Sequence, residues 1–184
     1  MHNKPLKTLF IFNGIFVFAG SLLGPLYALY VGTFDKNILS ISITWATFLV
    51  ATFIFTIIVS KTGDKVKEKE HLLMAGFLVR AIAWFMFIFA GNVLHFVLLQ
   101  VLLGLGEALG TPTFDAIFAE HLDRGKHIQE YSDWKLIVNG TTAVGTIMGG
   151  LVVTTLGFGW LFAIMSVLAV VSFLGVLVQP KKLL

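Results

Sequence analysis

The residues that could do chemistry in this chain sit on one stripe. Gln100, Gly104, Glu107, Thr111 and Asp115 follow one another at steps of four, three, four and four, the spacing of a single helical face. The surrounding residues from Val93 to Phe118 are otherwise oily. A carboxylate inside such a segment costs several kcal/mol, about 2.5–3.5 on insertion scales, unless it is paired or faces water. Glu107 therefore has two readings. It carries a solute or a proton, since a carboxyl in a poorly solvated site holds its proton to higher pH, or it neutralises Arg80, the other ionisable group deep in an apolar run. Counted at 1.5 Å per residue from the charged ends of their runs, both lie about 12–20 Å deep. Three further polar residues recur on helical faces. Asn13 shares one with Gly20, Gly24 and Tyr27, and Asn139 shares another with Thr142, Thr146 and Gly149. Asn13, Tyr27 and Asn139 are accordingly candidates for contact with a polar solute.

Other chemistries lack their residues. There is no cysteine, hence no disulfide, thiolate metal site or thiol nucleophile. The five histidines are scattered without ligand spacing, so neither a metal nor any other cofactor is expected. The glycine pairs follow no strand, so they form no nucleotide loop, and nothing suggests nucleic acid as a partner. Asn139-Gly140-Thr141 fits a glycosylation sequon but falls within an apolar run, out of reach of glycan addition. With no catalytic constellation the chain reads as a non-enzyme, and a lipid-handling enzyme is disfavoured for the same reason.

The elements that must hold the stripe follow from composition. Of 184 residues 57% are hydrophobic and 12% charged, where soluble domains carry about a quarter charged. The natural solvent is a bilayer. Six apolar runs are long enough to cross it as helices: about 8–32, 38–60, 72–90, 93–118, 136–156 and 160–178. They are continuously apolar rather than alternating, which excludes a barrel. The first run is too long for the apolar core of a signal peptide and reads as a retained helix. The expected fold is an all-α integral membrane bundle, a single six-helix domain over residues 1–184, with charged loops at 61–71 and 119–135.

Eleven lysines and arginines, among them Lys7, Lys61, Lys65, Lys67, Lys69, Arg124, Lys126 and Lys135, fall on one side of these runs, and Lys36 alone falls on the other. The positive-inside rule places both termini and both long loops in the cytoplasm, as in a multi-pass protein of the cell (plasma or inner) membrane.

Three stretches, in order, resemble half of a major facilitator superfamily transporter. Ser60 to Lys69 reads S-K-T-G-D-K-V-K-E-K against the family's loop pattern G-x-L-x-D-R-x-G-R-R, with Asp64, Lys65 and Lys69 matching. Gln100 to Ala108 reads Q-V-L-L-G-L-G-E-A against R-x-x-x-G-x-G-x-A, followed by Pro112, Glu120, Arg124 and Gly125. Gly145 to Gly150 reads G-T-I-M-G-G against G-P-x-x-G-G. Gln100 replaces the family's arginine, and Thr146 its proline. The resemblance implies a cavity lined by the first and fourth helices. It also implies a cytoplasmic gate built from Asp64, Lys65, Lys69, Glu120 and Arg124, and close helix packing at Gly104, Gly106, Gly145, Gly149 and Gly150.

The family's two halves are parallel repeats about an axis along the membrane normal, and the stretch here resembles one half. Two copies inserted the same way can pair as those halves do, and closed two-fold dimers are the commonest oligomers. The expectation is a homodimer in the lipid bilayer. It works by alternating access as a secondary transporter or facilitator of a small solute, with protons as a candidate co-substrate, and brings Glu107 of both copies toward one water-filled space. The alternative is a non-transporting subunit or truncated half that binds a partner membrane protein. The orientation is tested by cysteine labelling in this cysteine-free background. Lys36→Cys, Gly91→Cys and Gly157→Cys should react with an impermeant external reagent, and Lys67→Cys, Lys126→Cys and Lys182→Cys should not; the reverse pattern overturns the assignment.

Overall fold

The computed structural model describes residues 4–179; Lys181 and Lys182, two of the eleven lysines and arginines on the basic side, lie outside them. Seven α-helices make six passes. They are α1 (Lys4–Leu23), α2 (Leu26–Gly32), α3 (Ile38–Thr62), α4 (Glu70–Phe87), α5 (Val93–Glu120), α6 (His127–Leu156) and α7 (Phe158–Leu177). Six of them are long and apolar enough to span a membrane.

The first apolar run is not one helix. Gly24 takes φ +26°, a left-handed conformation suited to glycine, and Pro25 removes a backbone donor, so α1 stops and α2 restarts in a new direction. The tight end of each pass has its own cap. Asn37 Oδ1 accepts from Leu39 N at 2.9 Å to open α3, and Asn92 Oδ1 accepts from His95 N at 3.0 Å to open α5. The sixth apolar run begins where Gly157, at φ +88°, turns the chain.

One boundary moves substantially. The fifth helix, expected from 136, begins at His127, so the charged stretch expected as a loop over 119–135 shrinks to residues 121–126. The added turns are amphipathic: Glu130 and Trp134 are buried and the residues between them are largely exposed. Glu130 in the first turn suits the helix dipole, and its Oε2 accepts from Asp123 N at 2.9 Å, pinning the short connection. Apolar content alone cannot see a helix that continues past the bilayer.

The packing is symmetric. Helix α5 packs on α3 and α4, α1 packs on α6 and α7, and α4 packs on α7. Exchanging the first three passes for the last three maps each of these pairs onto another or onto itself, the pattern of an inverted three-helix repeat. Helices α3 and α6 are equivalents in this exchange and are the least buried: 11% of each apolar stretch is buried, against 44% in α4 and α5. Aromatic clusters close both ends. Tyr30, Phe87, Phe96 and Phe162 meet at the end away from the lysines, where Tyr30 Oη also donates to the carbonyl of Phe87 at 2.7 Å. Phe10, Phe114, Phe118 and Trp134 meet at the lysine-rich end.

Glycines set the helix separations. A Cβ at Gly104 would lie 2.7 Å from Ala51 Cβ, one at Gly145 would collide with the Ser21 hydroxyl, and one at Gly149 with the carbonyl of Leu22. Gly150 departs from the expected packing role: nothing lies within 4 Å of its Cβ direction, because that face of α6 meets no other helix of the bundle. Gly149→Ala should therefore force α6 off α1 and cost about 1–3 kcal/mol, whereas Gly150→Ala should stay within about 0.5 kcal/mol of the parent. Melting temperatures in mild detergent check the contrast; equal losses would mean that α6 does not sit this close to α1.

Candidate functional site

The deepest polar feature is an ion pair laid across a glycine seam. Gly76 of α4 meets Gly110 of α5 so closely that a Cβ on Gly76 would lie 2.7 Å from the Gly110 Cα and 2.9 Å from the carbonyl oxygen of Gly106. One turn along, the stem of Arg80 passes over Gly106, where an added Cβ would stand 2.6 Å from Arg80 Cγ. The seam lets the arginine cross onto the next helix. Arg80 Nη2 then reaches Glu107 Oε2 at 2.6 Å and donates to the Gly106 carbonyl at 3.3 Å and to Thr111 Oγ1 at 3.4 Å. Thr111 in turn donates to Glu107 Oε1 at 2.5 Å. The guanidinium sits 4.8 Å from the Phe16 ring centre, a cation–π contact that favours a desolvated charge. The two side chains are 12% and 30% exposed, so the pair is largely shielded, with the carboxylate the more open partner.

This pair lines a cavity of about 390 Å³ between α1, α4, α5 and α6. Asn13, Asp115 and Lys135 line it too, with Phe16, Trp84 and Trp134 among the aromatic walls. Asp115 lies within the field of Lys135 across the cavity and of Glu107 on its own helix. Of the residues singled out from sequence, Glu107, Asp115, Asn13 and Arg80 thus come together. Three do not. Gln100 and Tyr27 are buried away from the cavity, within reach of one another and of Thr44 of α3, and Gln100 Oε1 accepts no hydrogen bond. Asn139 lines a separate groove on the open face of α6 with Tyr131 and Lys135. The stripe on α5 is thus divided, its lower turns opening on the cavity and Gln100 sealed against α3.

By sequence Lys135 is one lysine of the positive-inside asymmetry and carries no mark of a site residue. Only the early start of α6 carries it into the cavity wall. Gly76, which makes the seam possible, has no chemical signature of its own, although Gly106 and Gly110 across from it are four apart on one helix, a close-packing spacing.

At the lysine-rich end, Asp64 and Lys65 lie in a short 3₁₀ turn (Gly63–Lys65) that follows α3. Lys69 and Glu120 form an ion pair joining the start of α4 to the end of α5. The Glu120 carboxylate, with help from Asp64, holds the Lys69 ammonium above its ordinary range. A raised lysine pKa stabilises at pH below the unfolded value and loses that contribution only as pH climbs through the folded one, so the contact is intact at neutrality. Arg124 lies in the 121–126 connection and takes no part in this pair among the described residues.

Residues 9–183 match the Major Facilitator Superfamily. The chain belongs to that family, whose members here are transporters and not enzymes. It is 28% identical over 171 residues to the staphyloferrin B transporter of Staphylococcus aureus (strain NCTC 8325 / PS 47), a match covering 89% of this chain and 39% of that protein. It is 31% identical over 126 residues to the tetracenomycin C resistance and export protein of Streptomyces glaucescens, covering 66% of this chain and 23% of the relative. The matched region therefore spans well under half the length of either curated relative. The six apolar helices make it a multi-pass membrane protein.

The ion pair makes a sharp prediction. Glu107→Gln leaves Arg80 uncompensated and should destabilise the fold by on the order of 3–5 kcal/mol. Adding Arg80→Gln should recover much of the loss. Thermal denaturation of the two single variants and the double variant gives the coupling directly, and additive losses would show that the two charges do not depend on one another.

Proposed function

We propose that this six-helix bundle is one half of a secondary transporter or facilitator for a small solute, and that two copies form the working unit. The cavity that holds Arg80, Glu107, Asp115 and Lys135 is the solute site. The observation that carries this reading is that charged groups from three helices converge on one cavity in an otherwise apolar bundle. Charges are retained in a membrane interior where a polar path needs them. The cavity is lined mainly by residues nearer the lysine-rich end, and the Lys69–Glu120 pair ties α4 to α5 beside it. Rocking of the two copies about this site, with Asp64, Lys65 and Lys69 as the cytoplasmic gate, gives alternating access. Both termini are cytoplasmic, and the protein resides in the cell membrane.

The dimer follows from the exposed helices. Helices α3 and α6 flank the bundle as repeat equivalents, and neither is covered by the rest of the chain. A two-fold axis along the membrane normal brings α3 of one copy against α6 of the other. Each Glu107 arrives already neutralised by its own Arg80, so the approach of two copies does not require two bare carboxylates to face each other.

A chain carrying both Ile43→Cys and Leu151→Cys tests the arrangement. Each position is five residues from the end of its helix that lies away from the lysines, and both side chains are exposed. Within one chain α3 packs on α5 and α6 packs on α1, so oxidation in native membranes should yield a covalent dimer, and each single variant should yield none through this contact. A chain that stays monomeric, or that recovers a defined size only with a different membrane protein, supports the partner-binding subunit instead.

A further inference from the structure

The charges in the cavity are not equally committed. Arg80 and Glu107 cancel one another in charge, and Arg80 Nη2 is shared among Glu107, Thr111 and the Gly106 carbonyl, while Arg80 Nε has no partner. Asp115 and Lys135 line the same cavity, from α5 and α6, without closing into an ion pair or a hydrogen bond with any described residue. They sit on the lysine-rich side of the deeper pair, Asp115 two turns or about 12 Å along α5 from Glu107. Asn13 is 8% exposed, lines the cavity from α1, and likewise has no hydrogen-bond partner among the described residues. Its free donor and acceptor, at the cavity surface, point to something polar that completes it.

We propose that Asp115 and Lys135 are the two poles of a recognition site for a zwitterionic solute with an apolar or aromatic body. Lys135 takes the solute's carboxylate, Asp115 takes its ammonium, and Asn13 hydrogen-bonds between them. The inference rests on the reading of this cavity as the solute site and names the class of solute. The charge balance selects it. A solute with only a cationic group would pair with Asp115 and stand against an uncompensated Lys135, and an anionic one would meet the reverse. A dipolar solute satisfies both poles and leaves the site neutral. The Arg80–Glu107 pair is the floor of the site, its two charges balanced against one another. Phe16, Trp84 and Trp134 supply flat apolar walls for the body of the solute, and about 390 Å³ falls in the range of small-molecule pockets.

The test uses equilibrium binding by the purified full chain, with tryptophan fluorescence and thermal shift as readouts, since Trp84 and Trp134 line the site. Two zwitterionic probes, phenylalanine and para-aminomethylbenzoate, are compared with phenylalanine amide, which keeps only the ammonium, and N-acetylphenylalanine, which keeps only the carboxylate. At least one zwitterion should bind saturably and at least about tenfold tighter than both blocked analogues, as expected for losing a charged hydrogen bond. Asp115→Asn should erase the penalty for blocking the amine, and Lys135→Gln the penalty for blocking the carboxylate. The exchange Asp115→Lys with Lys135→Asp should retain the preference for the zwitterion. Equal binding of all four probes, no saturable response to either zwitterion, or a preference that survives both single variants overturns the proposal. Binding as expected without uptake into vesicles would instead count against the transport reading and leave this one standing. Uptake of some other solute, unaffected by Asp115→Asn, would do the opposite.

Discussion

The Arg80–Glu107 ion pair depends on a backbone contact and not on the charges alone. An arginine in an apolar helix reaches a carboxylate on its neighbour only if the two backbones nearly touch, and here Gly76 and Gly106 lack the Cβ atoms that would hold them apart. Much of the site's arrangement follows. The seam fixes α4 against α5, the guanidinium locks Glu107 and Thr111 into one network, and Phe16 of α1 is drawn over the cation. The same seam aligns the stripe on α5 so that its lower turns open on a cavity while Gln100 is sealed against α3.

Around this pair the bundle keeps its polar groups at graded depth. The Lys69–Glu120 contact lies at the lysine-rich end, Asp115 and Lys135 line the cavity next, and Arg80 and Glu107 sit deepest. Each level differs in solvent access and therefore in what its charges can do. A pair near water contributes little to stability, typically about 0–1 kcal/mol, and is free to break and re-form. A pair sealed over an aromatic ring is nearly fixed. Aromatic clusters around Tyr30 and Phe162 at one end and Phe10 and Trp134 at the other hold the ends of the bundle where no such charges bridge the helices.

The three-plus-three symmetry of the packing explains which helices are left over. Helices α1, α4, α5 and α7 each pack on at least two others; α3 and α6 are repeat equivalents and lie on the flanks, each lying mainly against one. A bundle built this way presents two long apolar helices with no partner in the chain. Lipid can cover them, and so can a second bundle of the same kind.

Six apolar runs, their lysine asymmetry, and a polar face on the fourth were all legible from the residues, because a bilayer punishes any departure from those patterns. The glycine pattern from Gln100 to Ala108 carried the family resemblance for a related reason: close helix packing leaves a spacing that survives in the residues. Other features had no such mark. Nothing in the run up to Gly76 says that it meets Gly110, and the pairing of Arg80 with Glu107 stood as one of two readings until the helices were in place. The break at Gly24-Pro25 puts Tyr27 and Asn13, expected on one face, into different surroundings, and that separation follows from the altered course of α2. Asn139 has the periodicity of a shared face and Gly150 the place of a packing glycine in the family pattern, yet both lie on an open face, since neither signal tells what that face meets. Lys135 shows the limit most plainly. As a residue it is an ordinary lysine before an apolar run, and it becomes part of a site only because α6 starts two turns early and turns it toward Asp115 on another helix. Solvent preference is a property of each segment and can be read from it, whereas which segments become neighbours is decided only when the whole bundle packs.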